Sequence, residues 1–261
     1  MATPPPLLNG HLIAHRGGAR IAPENTLPAY REAARCGYRW VECDVAYTAD
    51  GVPVLFHDDT LERTTNGHGP LHHLHSRDVA RLDAGSWFHP RFCGTRVPTL
   101  AEALEEWQRL DLHALVELKV GAGQDPERLG NLVARMLVGT PHRLISFTAD
   151  ALAAARQAAP EIPRLLVLDN QSDPDSWLDQ ARHVAALGLD LEHTLLTRER
   201  IAALHHVGLA VLCWTVNDLQ RAGDLLSWGI DGVTTDAIDV IKDTTVRCAG
   251  TLQVPVVTTV K

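Results

Sequence analysis

Short apolar runs alternate with longer stretches of helical period along nearly the whole chain. A brief apolar run bounded by turn signals predicts a buried strand, and apolar positions three and four apart predict an amphipathic helix. Leu12 to His15 predicts a first strand. Asn25 or Thr26 stands where a helix cap belongs, Leu27, Tyr30 and Ala34 share the helical face that follows, and Gly37 ends it. Pro28 is compatible with a first turn. Trp40 to Ala46 predicts the second strand, and Asp50-Gly51 predicts a hairpin turn into Val52 to Phe56.

The alternation breaks over 58–98, which is rich in His, Gly, Arg and Asp with small apolar clusters such as Ala84-Gly85-Ser86-Trp87-Phe88. An irregular stretch of this length inside a domain is usually functional. With the hairpin it forms an insertion over about 51–98, expected to cover one end of the molecule. Thr99 and Glu102 then supply a capping box for a helix reaching Arg109. From there the rhythm is regular. Strands are predicted at Ala114 to Leu118, Arg143 to Phe147, Arg164 to Leu168, Leu187 to Leu191, Leu209 to Trp214 and Asp231 to Thr235. Helices are predicted near 126–138, at 150–159, after Asp173-Pro174, from Thr197 to Gly208, from an Asn217 cap to Gly229, and as a short piece at 237–242. With 52–56 assigned to the hairpin, eight strands remain. Eight β/α units in this length predict an α/β TIM barrel, (β/α)8, with an insertion after the second strand, the chain 1–261 forming one domain. A doubly wound open sheet is the competing fold, but no G-x-G-x-x-G follows a strand.

Polar residues interrupt the apolar runs at particular places. His15 ends Leu12-Ile13-Ala14, His57 ends Val54-Leu55-Phe56, and Glu42 and Asp44 thread through Val41, Cys43 and Val45. Ionisable groups at strand ends are costly to leave dry and unpaired. Side chains alternate faces along a strand, so Glu42 and Asp44 point the same way. Adjacent carboxylates repel unless a cation separates them, and hard oxygen donors suit Mg²⁺ or Ca²⁺. An exposed strand face with ordinary surface acids is the plain alternative. Val116-Glu117-Leu118-Lys119 repeats the alternation: Glu117 either gives the same cation a third carboxylate or merely pairs with Lys119 at a strand mouth. Three carboxylates and a divalent ion leave one negative charge. Arg16 and Lys119 turn that to one positive charge, which suits a phosphodiester monoanion. Gly17-Gly18 permits close backbone approach, and Trp214 offers an apolar wall. Two histidines across such a phosphate form an acid–base pair, and the chemistry implied is metal-assisted phosphodiester cleavage.

Composition narrows the setting. Hydrophobic residues make up 45% and charged residues 21% of 261 residues, and the formal net charge is −8. No basic field invites nucleic acid or an anionic membrane, so neither is an expected partner. The cysteines Cys36, Cys43, Cys93, Cys213 and Cys248 are odd in number and show no CxxC, which predicts reduced thiols and a cytoplasmic setting. The opening MATPPPLLNG has no charged n-region or long apolar run, so no leader is expected.

Taken together, His15-Arg16-Gly17, Pro23-Glu24-Asn25-Thr26, Glu42-x-Asp44, His57-Asp58, Glu117-x-Lys119 and Trp214-Thr215-Val216-Asn217 resemble the glycerophosphodiester phosphodiesterases. HDDTLERTTNG, LDAGSW and TDAIDVI are similar to the cytosolic bacterial branch associated with glycerol-phosphate uptake. The resemblance spans roughly residues 10 to 242. It implies a TIM barrel with an insertion after its second strand. It also implies hydrolysis of small glycerophosphodiesters, such as glycerophosphocholine, to sn-glycerol 3-phosphate and an alcohol. By resemblance Glu42, Asp44 and Glu117 bind one Mg²⁺ or Ca²⁺, His15 and His57 are the acid–base pair, and Arg16, Lys119 and Trp214 bind substrate. A homo-oligomer is compatible with the sequence. The tail 246–261 lies outside the resemblance.

Other readings carry less. His72-His73-x-His75 lacks a carboxylate partner at strand spacing and reads as a solvated loop. A dinuclear hydrolase with H-x-H on strand one fails because Arg16-Gly17 follows His15. Lys119 as a Schiff-base former would make the protein an aldolase-like lyase. A barrel that only binds glycerophosphodiesters would need no pair of histidines. A phospholipase would want a basic or apolar rim.

Overall fold

The computed structural model describes residues 11–242. The apolar runs become strands β1 (His11–Ala14), β2 (Trp40–Tyr47), β3 (Pro53–Leu55), β4 (His113–Leu118), β5 (Arg143–Ser146), β6 (Arg164–Leu168), β7 (Gly188–Glu192), β8 (Ala210–Trp214) and β9 (Gly232–Thr235). The amphipathic stretches become α1 (Leu27–Arg35), α2 (Ser76–Val79), α3 (Leu100–Leu110), α4 (Pro126–Met136), α5 (Ala149–Ala158), α6 (Trp177–His183), α7 (Arg198–His206) and α8 (Leu219–Ser227). All strands but β3 pair in parallel, in the order β1-β2-β4-β5-β6-β7-β8-β9, and β9 returns to β1. The ring is therefore closed, with helices in the connections. This is the TIM barrel, and the open-sheet alternative is excluded.

Closure sorts the side chains by the period of two. Val41, Cys43 and Val45 face outward into the layer between barrel and helices. Ile13, Trp40, Leu115, Ile145, Leu165, Val167 and Leu212 fill the interior. At the N-terminal ends the Trp40 ring stacks on His113 at 4.8 Å, with the Arg143 guanidinium 4.4 Å from its centroid. That stack closes the bottom of the barrel. Polar interior positions are thus confined to the upper half.

The hairpin is as the Asp-Gly signal predicts: β3 runs antiparallel to β2, with Val45 opposite Leu55. The insertion is less irregular than its composition suggests. Ala46, Val54, Phe56, Leu61, Leu71, Val79, Ala84 and Val97 build a small core of their own. The Thr99–Glu102 capping box is present in both directions. Three local expectations differ. Asp218, not Asn217, caps α8 by accepting from the Arg221 N–H at 2.7 Å. The segment 237–242 holds a turn at 238–240 instead of a helix. Thr26 occupies the cap position of α1 without a side-chain cap bond. The tail 246–261 and Cys248 lie outside the described residues.

One core histidine links this packing to pH. His142 is 4% exposed, accepts the Ala114 N–H at Nδ1 (3.1 Å) and meets the Trp107 ring edge-on at 5.3 Å. Burial, helped by His113 and Arg143, lowers its pKa from 6.5 to about 4. The unfolded chain takes up that proton first, so stability is lost as pH falls from the usual histidine range toward 4, by about 3 kcal/mol in total. His142→Asn keeps an acceptor and removes the proton uptake. Urea unfolding at neutral and acid pH is expected to show a smaller acid loss in the variant; equal losses would remove this role.

Candidate active site

The acids converge because β2 and β4 lie in register. Asp44 sits beside Glu117, and Glu42 projects from the same face of β2. Ligand atoms of Glu42, Asp44 and Glu117 lie within 4.8 Å of one another, and the residues are 3%, 1% and 8% exposed. Burial and the neighbouring Asp44 raise Glu117 to about 7, and burial with Asp44 and Glu117 pushes Glu42 well up. Burial opposes ionisation of Asp44 too, but Arg16, Lys119 and His57 together bring it down to about 2. Two of three clustered carboxyls are therefore short of positive charge. An all-oxygen donor set of this kind fits a hard divalent cation, and the exposed-face alternative fails on burial.

Two cations flank the acids. Arg16 follows β1 with φ +49°, an uncommon conformation for a side chain of this size. It aims its N–H at Glu42 Oε2, 3.0 Å away. Its guanidinium donates to Glu24 Oε1 at 2.7 Å, and its Nε lies 3.1 Å from Asp44 Oδ2 without an aligned hydrogen bond. Lys119 Nζ is 3.1 Å from Glu117 and 3.8 Å from Asp44. Although burial opposes it, these carboxylates raise the Lys119 pKa. A Schiff base requires a neutral amine, so the lyase reading loses its nucleophile. Gly17 and Gly18 hold φ +83° and +102°, and a Cβ on either would lie 2.8 Å from Ala29 Cβ or 2.2 Å from Ile238 Cδ1. Their small size serves this turn's packing on α1 and on the segment after β9.

Each histidine is held through Nδ1. His15 Nδ1 is 2.7 Å from Asp236 Oδ1, and His57 Nδ1 is 2.6 Å from Asp58 Oδ1. Burial works against Asp236, but bonds from His15 and Asn217 lower its pKa; Arg63 and His57 bring Asp58 down to about 2 against the effect of burial. An ionised carboxylate only accepts, so each Nδ1 donates and each Nε2 is left for chemistry. Burial, with Arg16 and Lys119, lowers the His57 pKa against the opposing pull of Asp44 and Asp58. That direction favours the neutral imidazole, the form that accepts a proton.

His15, Arg16, Glu42, His57, Glu117, Lys119 and Trp214 line one cavity of about 140 Å³, together with Ile145, Phe147, Val167 and Asp190. Asp44 stands behind that wall, bonded to Asn25 Nδ2 at 2.8 Å. The Phe147 ring meets Trp214 edge-on at 5.4 Å. All eight residues singled out from the sequence thus gather at the C-terminal end of the barrel. His72, His73 and His75 do not join them: among the described residues the one potential metal group is Glu42, Asp44 and Glu117. Sequence reasoning gave no site role to Arg63, Asp190 or Asp236, quoted Glu24 and Asp58 only as motif neighbours, and offered Asn25 only as a possible helix cap. Only Asp58, adjacent to His57, and Asp236, a polar residue just past a strand, carried a usable signal.

Comparison with known proteins identifies the family. The model of the Glycerophosphoryl diester phosphodiesterase family matches residues 15–240. Glycerophosphodiester phosphodiesterases from Bacillus subtilis and Caldanaerobacter subterraneus are each 30% identical, covering 87% and 86% of this chain and 84% and 93% of theirs. A solved Oleispira antarctica phosphodiesterase, in complex with the product sn-glycerol-3-phosphate, superposes with a TM-score of 0.84 at 32% identity, over 92% of this chain and 96% of that one. The chain belongs to the glycerophosphoryl diester phosphodiesterase family, a family of hydrolases.

Proposed function

We propose that the enzyme hydrolyses small glycerophosphodiesters to sn-glycerol 3-phosphate and an alcohol, with a divalent cation, Mg²⁺ or Ca²⁺, held by Glu42, Asp44 and Glu117. The observation that carries this is the buried acid cluster between two histidines whose Nδ1 atoms are both committed to aspartates. The cation, when bound, supplies positive charge to phosphoryl oxygens and to the buried acids. Arg16 and Lys119 orient the phosphodiester, and Trp214 closes one side of it. Reduced Cys36, Cys43, Cys93 and Cys213 support a cytoplasmic setting. No helix of the described residues is long and apolar enough to cross a membrane.

Acid–base work falls to His15 and His57. One Nε2 removes a proton from the substrate's glycerol 2-hydroxyl as its oxygen bonds to phosphorus. The other gives a proton to the departing alcohol oxygen as the P–O bond breaks. The cyclic phosphate is then opened by water with the two roles exchanged, which restores both imidazoles. Two similarly anchored histidines favour this symmetrical route over direct attack by water.

Three outcomes test these assignments. Glycerol 3-phosphate release from glycerophosphocholine is expected to stop with EDTA and return with Mg²⁺ or Ca²⁺; unaltered release would remove the cation. His15→Ala and His57→Ala are each expected to cut kcat by at least about 100-fold with thermal unfolding unchanged. A rate near that of the parent enzyme would remove that residue's role. A substrate carrying hydrogen in place of its 2-hydroxyl is expected to be inert, and equal turnover would show that water attacks directly.

A further inference from the structure

The inner side of the cavity holds polar groups that the chemistry above does not use. Asp190 projects inward from β7 and is 2% exposed; Thr234 projects inward from β9 and is 1% exposed. Asp190 Oδ1 and Thr234 Oγ1 have no hydrogen-bond partner among the described residues. An acid left dry and unpartnered is costly, and more so when it is charged. Among the described residues no basic side chain is paired with Asp190, so there it is not half of a structural ion pair. Burial, with Glu117 adding to it, raises its pKa to about 8, so the carboxyl keeps its proton at neutral pH and offers both a donor and an acceptor.

Position in the ring indicates what these groups meet. The cations and metal-type acids occupy the arc β1-β2-β4, and β7 lies diametrically across the eight-strand ring from β2. Phosphate is drawn to Arg16 and Lys119. The substrate atoms that reach the far wall are those remote from phosphorus. Between the two walls stand Ile145 and Val167, which suit a short carbon chain. The bottom is closed by the Trp40 stack, so a bulky head group must leave through the mouth, beside half-exposed Phe147. The half of the diester that fits inward is small and carries hydroxyls.

We propose that Asp190 binds the terminal glycerol hydroxyl of the substrate and thereby selects glycerophosphodiesters over diesters that lack that group. The inference rests on the proposed activity and adds the residue that reads the glycerol end. It explains why an acid is retained on an otherwise apolar stretch, Leu189 to Leu191, where Asn or Leu would fold with less penalty. A site built to hydrogen-bond a hydroxyl discriminates strongly against an analogue without it, since its buried polar atoms are then left unpaired.

The test compares Asp190→Leu, Asp190→Asn and the parent enzyme. Each is assayed on glycerophosphocholine and on its analogue with hydrogen in place of the terminal hydroxyl. The parent is expected to prefer the glycerol substrate. Asp190→Leu is expected to lose about 30-fold in kcat/KM on glycerophosphocholine and less than about 3-fold on the analogue, so that the preference collapses. Asp190→Asn, which keeps a donor and an acceptor, is expected to retain most of the preference. Equal losses on both substrates, or no loss on either, would overturn the assignment. Calorimetry with sn-glycerol 3-phosphate and with its analogue lacking the terminal hydroxyl separates this proposal from the activity. If the parent turns over no diester yet binds the phosphates with a preference that Asp190→Leu erases, the proposed reaction fails and the glycerol site stands. If neither turnover nor binding distinguishes the two ligands, the site falls while the reaction can survive. Should Asp190→Leu not fold, Asp190→Ala, which also removes the carboxyl, decides by the same ratio.

Discussion

Burying three carboxylates together is the condition that organises this molecule. In water such a cluster is dispersed by hydration and repulsion; at the end of a closed barrel neither relief is available. The register of β2 against β4 forces Asp44 beside Glu117, and the period of two adds Glu42. The surroundings then divide the burden. Arg16, Lys119 and Asn25 all favour the charge on Asp44, while Glu42 and Glu117 are pushed toward their protonated forms. A cluster in this state could hold a cation. The strained Arg16 backbone belongs to the same arrangement, because it is what points an N–H at Glu42.

From that cluster a chain of ion pairs runs outward. Arg16 holds Glu24, Glu24 accepts both terminal nitrogens of Arg63, and Arg63 grips Asp58, which holds His57. Partly exposed pairs of this sort contribute little stability singly. Their geometric effect is larger: they fix the rotamer of an imidazole relative to a guanidinium. His15 is fixed by a separate route, through Asp236, itself held by Asn217, which follows the neighbouring strand β8. The two imidazoles are therefore oriented by separate sets of partners.

How much of this the sequence disclosed follows from the range of each interaction. E-x-D on β2 and E-x-K on β4 were readable because strand period is local, and that period alone put four of the charged site residues on common faces. The strand count identified the barrel because each β/α unit announces itself within a short window. Partners supplied across long sequence separations were not readable. Asp236 lies 221 residues from His15, and Arg63 looks like one more charge in a polar loop. Asn217 illustrates the ambiguity: it stands beside a helix start and looks like a cap, but its side chain is already committed to Thr235 and Asp236, and Asp218 caps the helix. Asp190 was hidden as well. Asp190-Leu191-Glu192 repeats the alternation of β2, but nothing nearby in sequence marks it as part of the site, and only closure of the ring shows what Asp190 faces.

The insertion deserves separate weight, because one imidazole does not stand on a barrel strand. TIM barrels draw their chemistry from the C-terminal strand ends; His15 obeys this, and His57 follows the antiparallel β3 instead. Its place is secured from two directions. The Phe56 N–H donates to the Asp44 carbonyl at 3.0 Å, so the backbone before His57 is tied to a strand bearing the acid cluster. Phe56 itself is buried with Leu61 and Leu71 in the insertion's own core. The next segment then sends Arg63 back onto Asp58. An irregular stretch with a private core is thus doing for His57 what the closed sheet does for His15. Loosening that core would displace the imidazole while leaving the barrel intact, so the insertion must be counted as part of the site and not as its cover.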